Sequence, residues 1–292
     1  MKVLQAEALA KINRELRVGP RREDGYHQIL SRFVSIDLAD TLVVEAAATL
    51  TLTVDGAGVA ADASNLVWKA ARLLAESVPS ASGARMRLIK RIPVGAGLGG
   101  GSADAAVTLL LLSQLWEAPM TTSQLQALGA KIGSDVPYFF VGGEADVRGR
   151  GELVTPREDG RIENLQLWVP PFSLSTREVY AFYDRVRGTE GWTLPDALDV
   201  ETSGCFFGPN DLASAMLSGS LEMTKYLRAV AESVSESCLT GSGSAIVLRG
   251  ASPEALRALD AGHPECRFLT TRTIGREEYQ RRIHPSGGHS WK

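Results

Sequence analysis

Cysteine is scarce in this 292-residue sequence: Cys205, Cys238 and Cys266 stand far apart, with no C-x-x-C pair and no histidines at metal-ligand spacing. That argues against zinc and disulfide frameworks and predicts free thiols in a reducing compartment. No run reaches the ~18 apolar residues of a membrane span, and the start, MKVLQAEALAKINREL, lacks the uninterrupted apolar core of a signal peptide. The expectation is a cytoplasmic protein without a membrane partner. A basic block is missing too: 31 Lys and Arg stand against 34 Asp and Glu, a net charge of −3, so the overall field gives no reason to expect nucleic acid. There is also no Gly-Lys-Ser/Thr, which excludes a Walker A phosphate loop.

What is present suits an ordinary globular protein, with 44% hydrophobic and 22% charged residues. The length favours two domains. Residues 29–54 mix β-branched and apolar residues and predict two or three strands; 65–78 predicts a helix that Asn65 can cap; 84–92 alternates apolar and basic residues as a strand with one solvated face. The Ala/Leu run from Ser102 to Ala118 predicts a buried helix, and 121–132 another, capped by Thr122 or Ser123. The polar stretch 156–165 places the domain boundary, giving units 1–158 and 159–283 and a frayed tail, 284–292. The second unit reads as a strand from Leu165, a helix over 175–186, an unpatterned stretch at 188–208, helices at 210–218 and 222–234, a loop and strand over 238–248, and a capped helix at 252–262.

The densest signal is Pro93-Val94-Gly95-Ala96-Gly97-Leu98-Gly99-Gly100-Gly101-Ser102-Ala103, directly ahead of a helix. Glycines lack Cβ and tolerate positive φ, so consecutive N–H groups can curl around an anion at the helix's positive end. A surface turn would need only one or two of them, so a phosphate cradle is the stronger reading. Gly95, Gly97 and Gly100 also satisfy the dinucleotide-binding G-x-G-x-x-G. The context opposes that reading: the preceding strand alternates with Arg85, Arg87 and Lys90 instead of being buried on both faces, and the long helix runs into a second helix where a parallel strand should follow.

At this loop the sequence resembles the GHMP kinases, and PVGAGLGGGSADAA is similar to the signature of the branch whose acceptor is a cytidine-diphosphate alcohol, with Ala103 where a second serine usually stands. The resemblance extends in order along the chain. Ala10-Lys11-Ile12-Asn13 and Arg22-Glu23-Asp24-Gly25-Tyr26-His27 match two N-terminal elements, although Leu9 replaces a proline and Arg14-Glu15 occupy generally apolar positions. Those charges raise a question about the packing of the first strand and about the substrate. Gly133-Ser134-Asp135-Val136-Pro137, Ser175-Thr176-Arg177-Glu178-Val179-Tyr180, Asn210-Asp211-Leu212 and Leu239-Thr240-Gly241-Ser242-Gly243-Ser244 match further elements.

The resemblance implies a two-domain α+β fold, an N-terminal ribosomal-protein-S5-domain-2-like unit followed by a ferredoxin-like α/β sandwich, with the site in the cleft between them. It implies transfer of the ATP γ-phosphate to the 2-hydroxyl of diphosphocytidyl-methylerythritol, a step toward isoprenoid precursors, with Mg2+ required by ATP chemistry. Asp135 is then the general base and Lys11 its cationic partner; taken alone, the one is an ordinary turn former and the other a solvated strand-end lysine. Residues 93–103, Asn65, Gly241, Ser242 and Gly243 would surround ATP, an N-cap explaining Asn65 equally well. Asn13, Tyr26, His27, Thr176 and Tyr180 would surround the acceptor, although an aromatic at 180 is also a normal core residue. Another GHMP kinase, acting on a sugar or homoserine, would share the loops without needing Tyr26 and His27; a nucleotide-binding relative without catalysis would not need Lys11 and Asp135. A monomer or weak homodimer is expected.

Overall fold

The computed structural model describes residues 2–56, 58–188, 193–201, 203, 205–218, 222–284 and 286–287. Two long strands form its spine. β1 (Val3–Arg21) and β2 (His27–Ala47) pair antiparallel, the chain reversing through Gly25, whose φ of +83° suits a residue without Cβ. β2 is long enough to hold two partners on its other edge. Its second half pairs with β4 (Gly83–Ile89) and its first half with β5 (Glu144–Gly149). β3 (Thr51–Asp55) runs parallel to β4, their connection carrying α1 (Leu66–Ser77), and β6 (Leu153–Pro156) extends the sheet beyond β5.

α2 (Gly100–Leu115) packs on β1 and β2 with α1 beside it, and α3 (Thr122–Ile132) follows. The Ala/Leu run makes α2 apolar all round, so it suits only the interior: Ala103, Ala105, Leu109, Leu111 and Leu112 have no exposed surface. Each such leucine contributes ~1.5–3 kcal/mol relative to exposure. The cap of α3 is Thr121, one residue earlier than expected, with Gln124 completing a capping box.

The second sheet is built from β7 (Asn164–Val169), β8 (Glu236–Leu239), β9 (Ile246–Arg249) and β10 (Arg267–Arg272), all antiparallel in the order β10-β7-β9-β8. Helices α4 (Thr176–Arg187), α5 (Asp211–Ser218) and α6 (Met223–Ser233) lie between β7 and β8, and α7 (Pro253–Gly262) lies between β9 and β10. This is the βαββαβ order of a ferredoxin-like sandwich. Among the described residues no helix is long and apolar enough to cross a membrane.

After β10 the chain returns to the first sheet, a turn that sequence patterning did not reveal. α8 (Arg276–Ile283) buries Tyr279, whose hydroxyl donates to Phe139 O at 2.8 Å, and Arg282 pairs with Glu7 and Asp37. Residues 276–283, expected to belong with the second unit, thus pack on the first. Of the expected frayed tail, Ser286–Gly287 forms β11 against Leu4 and Gln5 of β1, while 285 and 288–292 lie outside the described residues.

Candidate active site

Both glycine-rich segments open into one cavity of about 1130 Å³, walled by β1, the loop before α2, the start of α4 and the β8–β9 turn. Gly95, Gly97 and Gly99 have φ of +67°, +76° and +72°, which an L side chain rarely adopts. Gly99 is also the N-cap of α2 and offers no side-chain cap, so the first N–H groups of a 16-residue helix remain open to an anion. The second loop lies against the first. The Thr240 hydroxyl donates to Gly97 O at 3.3 Å and accepts from Asn13 N at 3.1 Å, and Ala245 N donates to Ala96 O at 3.2 Å. Asn210 holds this loop from behind: its Nδ2 donates to Leu239 O (2.7 Å) and Gly241 O (2.9 Å), while its Oδ1 accepts from Leu212 N at the start of α5.

At the cavity floor Lys11 Nζ stands 3.6 Å from Asp135 Oδ2, donates to Asn13 Oδ1 at 2.7 Å and lies 4.4 Å from the centre of the Phe33 ring. Each partner has its own support. Lys11 is fixed by the long β1–β2 pairing, and its N–H donates to Leu98 O of the glycine loop at 3.0 Å. Asp135 immediately precedes a short 3-10 helix, Val136–Phe140, whose five residues are all buried. Burial pushes the Lys11 pKa below its ordinary value, and the charge and hydrogen-bonding pull of Asp135 opposes that shift without cancelling it. The Lys11 side chain is 4% exposed and that of Asp135 32%, so the carboxylate is the member that a substrate hydroxyl can reach.

On the acceptor side the rings are arranged differently from the expectation. Tyr26 is 52% exposed, and its ring faces the Arg150 guanidinium at 4.9 Å. His27 is buried, with its ring centre 5.2 Å from that of Tyr180. Its Nδ1 lies 2.7 Å from Gly19 O and its Nε2 lies 3.1 Å from Asp184 Oδ1, the latter a charge contact without hydrogen-bond alignment. Nδ1 is thus held by the backbone, while Nε2 makes no aligned hydrogen bond within the protein and His27 lines the cavity. The exposed Tyr26 face and Tyr180 line it too. Thr176 Oγ1 and Ser242 Oγ, 3.0 Å apart, join α4 to the second loop.

Every site residue expected from the sequence lines this cavity except Ala103, which is fully buried within α2 and donates its N–H to Gly99 O. Asn65 lines it with its amide already committed: Oδ1 caps α1 through Val67 N and Nδ2 donates to Ala60 O. Lys90, Asp104, Arg150 and Asp184 also line the cavity and were not anticipated. Lys90 was expected on a solvated face; its side chain is 6% exposed and paired with Asp40 and Asp104. Alternation continues through the strand, but Lys90 follows its last residue, and its side chain meets Asp40 of β2 and Asp104 of α2.

The chain matches the model of the GHMP kinases N terminal domain over residues 65–143. It is 34% identical to a 4-diphosphocytidyl-2-C-methyl-D-erythritol kinase of Arthrobacter sp., with 90% of each chain covered. It is 37% identical to one of Rhodococcus jostii, over 90% of this chain and 89% of that one. A crystal structure of 4-(cytidine 5'-diphospho)-2C-methyl-D-erythritol kinase superposes with a TM-score of 0.73 at 34% identity, covering 93% of this chain and 99% of the other. A homoserine kinase from Cytophaga hutchinsonii, 15% identical with a TM-score of 0.64 and covering 98% of this chain and 97% of that one, shares the fold. A two-domain α+β fold, two glycine loops meeting over a Lys–Asp pair and this likeness along nearly the whole chain lead to one assignment: the chain belongs to the 4-diphosphocytidyl-2-C-methyl-D-erythritol kinases of the GHMP superfamily.

Proposed function

We propose that this enzyme transfers the γ-phosphate of ATP to the 2-hydroxyl of 4-diphosphocytidyl-2-C-methyl-D-erythritol, a step of non-mevalonate isoprenoid precursor synthesis. The observation that carries the reading is the Lys11–Asp135 pair, 3.6 Å apart on the floor of a cavity that both glycine loops share. Phosphoryl transfer to an alcohol calls for a positioned phosphate, compensation of its charge and a group to receive the hydroxyl proton. The uncapped start of α2 with residues 93–102, and Gly241–Gly243 facing it, supply the first. Lys11 supplies charge beside the reacting groups, and Asp135 takes the proton. Tyr26 and Tyr180 offer aromatic faces for a base, which favours a cytidylyl acceptor over a sugar or an amino alcohol.

Magnesium, which ATP chemistry implies, would neutralise phosphate charge. Among the described residues no three His, Cys, Asp or Glu side chains gather to hold a metal, which suits an ion held chiefly by phosphate oxygens and water. The Ser102 hydroxyl, in the first turn of α2 and lining the cavity, would be a ligand from this chain.

The test is ATP-coupled turnover with 4-diphosphocytidyl-2-C-methyl-D-erythritol, galactose, homoserine and mevalonate offered in parallel. Turnover is expected with the first alone; faster turnover of any of the others would overturn the acceptor assignment while leaving the ATP site standing.

A further inference from the structure

Behind the glycine loop lies a group of charges with no part in the chemistry above. Lys90 just after β4, Asp40 in β2 and Asp104 in α2 are buried together, their side chains 6%, 0% and 4% exposed. Lys90 Nζ donates to Asp104 Oδ2 at 2.8 Å and also to Asp40 Oδ2. The other oxygen of Asp40 accepts the backbone N–H groups of Arg91 (2.5 Å) and Ile92 (2.9 Å), the residues that lead into the loop. The other oxygen of Asp104 is buried without a hydrogen-bond partner, a costly state for a carboxylate.

Stability does not explain this arrangement, since buried ion clusters are commonly no more stabilising than apolar packing of the same volume. Its position does. Asp40 grips the backbone at one end of the loop, Asp104 belongs to the helix at the other, and Lys90 joins them. Gly100 rests directly on this bridge, where an added Cβ would stand 3.3 Å from Lys90 Nζ and 2.9 Å from Ile92 Cγ2. Because Lys90 is already paired with two acidic groups, its contribution is to hold the loop rather than to attract phosphate.

We propose that Asp40, Lys90 and Asp104 are positioning residues for the nucleotide: the carboxylate–lysine–carboxylate bridge fixes both ends of the glycine loop so that its N–H groups face the ATP phosphates. This rests on the reading of that loop as the ATP site.

Calorimetric binding of a non-hydrolysable ATP analogue, melting temperature, and KM for ATP and for acceptor would be measured for wild type, Lys90→Met, Asp104→Asn and the apolar triple variant Asp40→Leu/Lys90→Met/Asp104→Leu. Each single variant should bind the analogue about 10–100-fold more weakly, the range known for groups that orient a ligand-binding side chain in metal sites. Acceptor KM should stay within about twofold, a small loss on the scale where tenfold is 1.4 kcal/mol. The triple variant removes the buried charges, so it should regain much of the melting temperature without regaining nucleotide affinity. A folded variant, the triple one above all, that binds the analogue like wild type would overturn the inference, and so would equal loss of ATP and acceptor affinity, the mark of general damage. Failure of the wild type itself to bind the analogue would overturn the ATP-site reading and this inference with it.

Discussion

The main chain at Gly97 passes so close to the carbonyl of Thr240 that a Cβ on Gly97 would stand 2.0 Å from that oxygen. The two residues come from different sheets' connections, and the contact makes the two glycine loops a single surface. If the first loop holds phosphate, its geometry depends on this close approach of the two halves.

Gly97→Ala should separate the loops. The left-handed backbone alone costs about 1–2 kcal/mol with a side chain, which corresponds to a roughly 5–30-fold rise in the ATP KM. Gly101 gives the contrast in stability: it lies inside α2 and its Cβ would meet only Leu66, at 3.4 Å and beyond, so Gly101→Ala should stabilise the protein by about 0.5–1 kcal/mol. Melting temperatures and ATP KM values check both, and wild-type nucleotide affinity in a folded Gly97→Ala protein would detach this contact from ATP binding.

Tyr26→Ala and Tyr180→Ala should each raise the acceptor KM and spare the ATP KM, because loss of an aromatic face costs ~1–3 kcal/mol per base by analogy with nucleic-acid complexes. Tyr180 should show the larger effect, being packed against His27, whereas Tyr26 is half exposed. Steady-state kinetics with each substrate varied in turn decide this. Unchanged acceptor KM values in both variants would remove the cytidine ring from this end of the cavity.

Much of the fold and about half of the cavity lining were legible in the sequence, for reasons that individual residues make plain. Motif residues such as Lys11, Asp135 and the loop glycines are fixed by local chemistry, so their order along the chain carries the site. α1 and α7 announced themselves through caps at Asn65 and Ser252, and α3 through its pattern, with the cap misplaced from Thr121 to Thr122 or Ser123. Hidden features depended on distant partners. α8 has strongly polar residues on most positions, and only Tyr279 and Ile283 are buried, so its return to the first sheet rests on contacts that no local pattern encodes. Arg14 and Glu15 raised doubt about β1 because they put charges at positions that are generally apolar in the resembled family. In the structure Arg14 pairs with Glu144 and donates to Phe206 O, while Glu15 is wholly buried, pairs with Arg17 and accepts from Val200 N. These contacts tie Val200 and Phe206 to β1, and neither Arg14 nor Glu15 lines the candidate active-site cavity.

The pH profile should carry the signature of Lys11. Burial lowers its pKa from 10.5, so as pH rises the neutral amine forms earlier than in an exposed lysine, and turnover should fall on the alkaline side below that value. Stability should move the other way in the same window: the unfolded chain holds the proton longer, so the penalty for burying a charged lysine fades as pH rises. Lys11→Arg, charged throughout, should shift the alkaline limb upward whatever its kcat. A limb that stays in place in Lys11→Arg would assign it to another group.

The Asp135→Asn variant tests the chemical step itself. Asn keeps the size of the side chain and part of its hydrogen bonding, and Asp135 touches the fold chiefly through its backbone, whose carbonyl accepts from Tyr138 N at 3.2 Å, so the protein should fold and bind nucleotide. Turnover should fall by about 10²–10⁴, the usual contribution of a general base. Lys11→Met should cause a comparable fall, because an uncharged partner no longer compensates charge on the attacking oxygen or the transferred group. The two residues are 3.6 Å apart and serve one step, so the double variant should lose far less than the product of the two single losses. Single-turnover measurements at saturating ATP and acceptor isolate that step from product release. Near-normal turnover in a folded Asp135→Asn protein would defeat the general-base assignment, leaving positioning by the two loops and charge compensation by Lys11 as the source of catalysis.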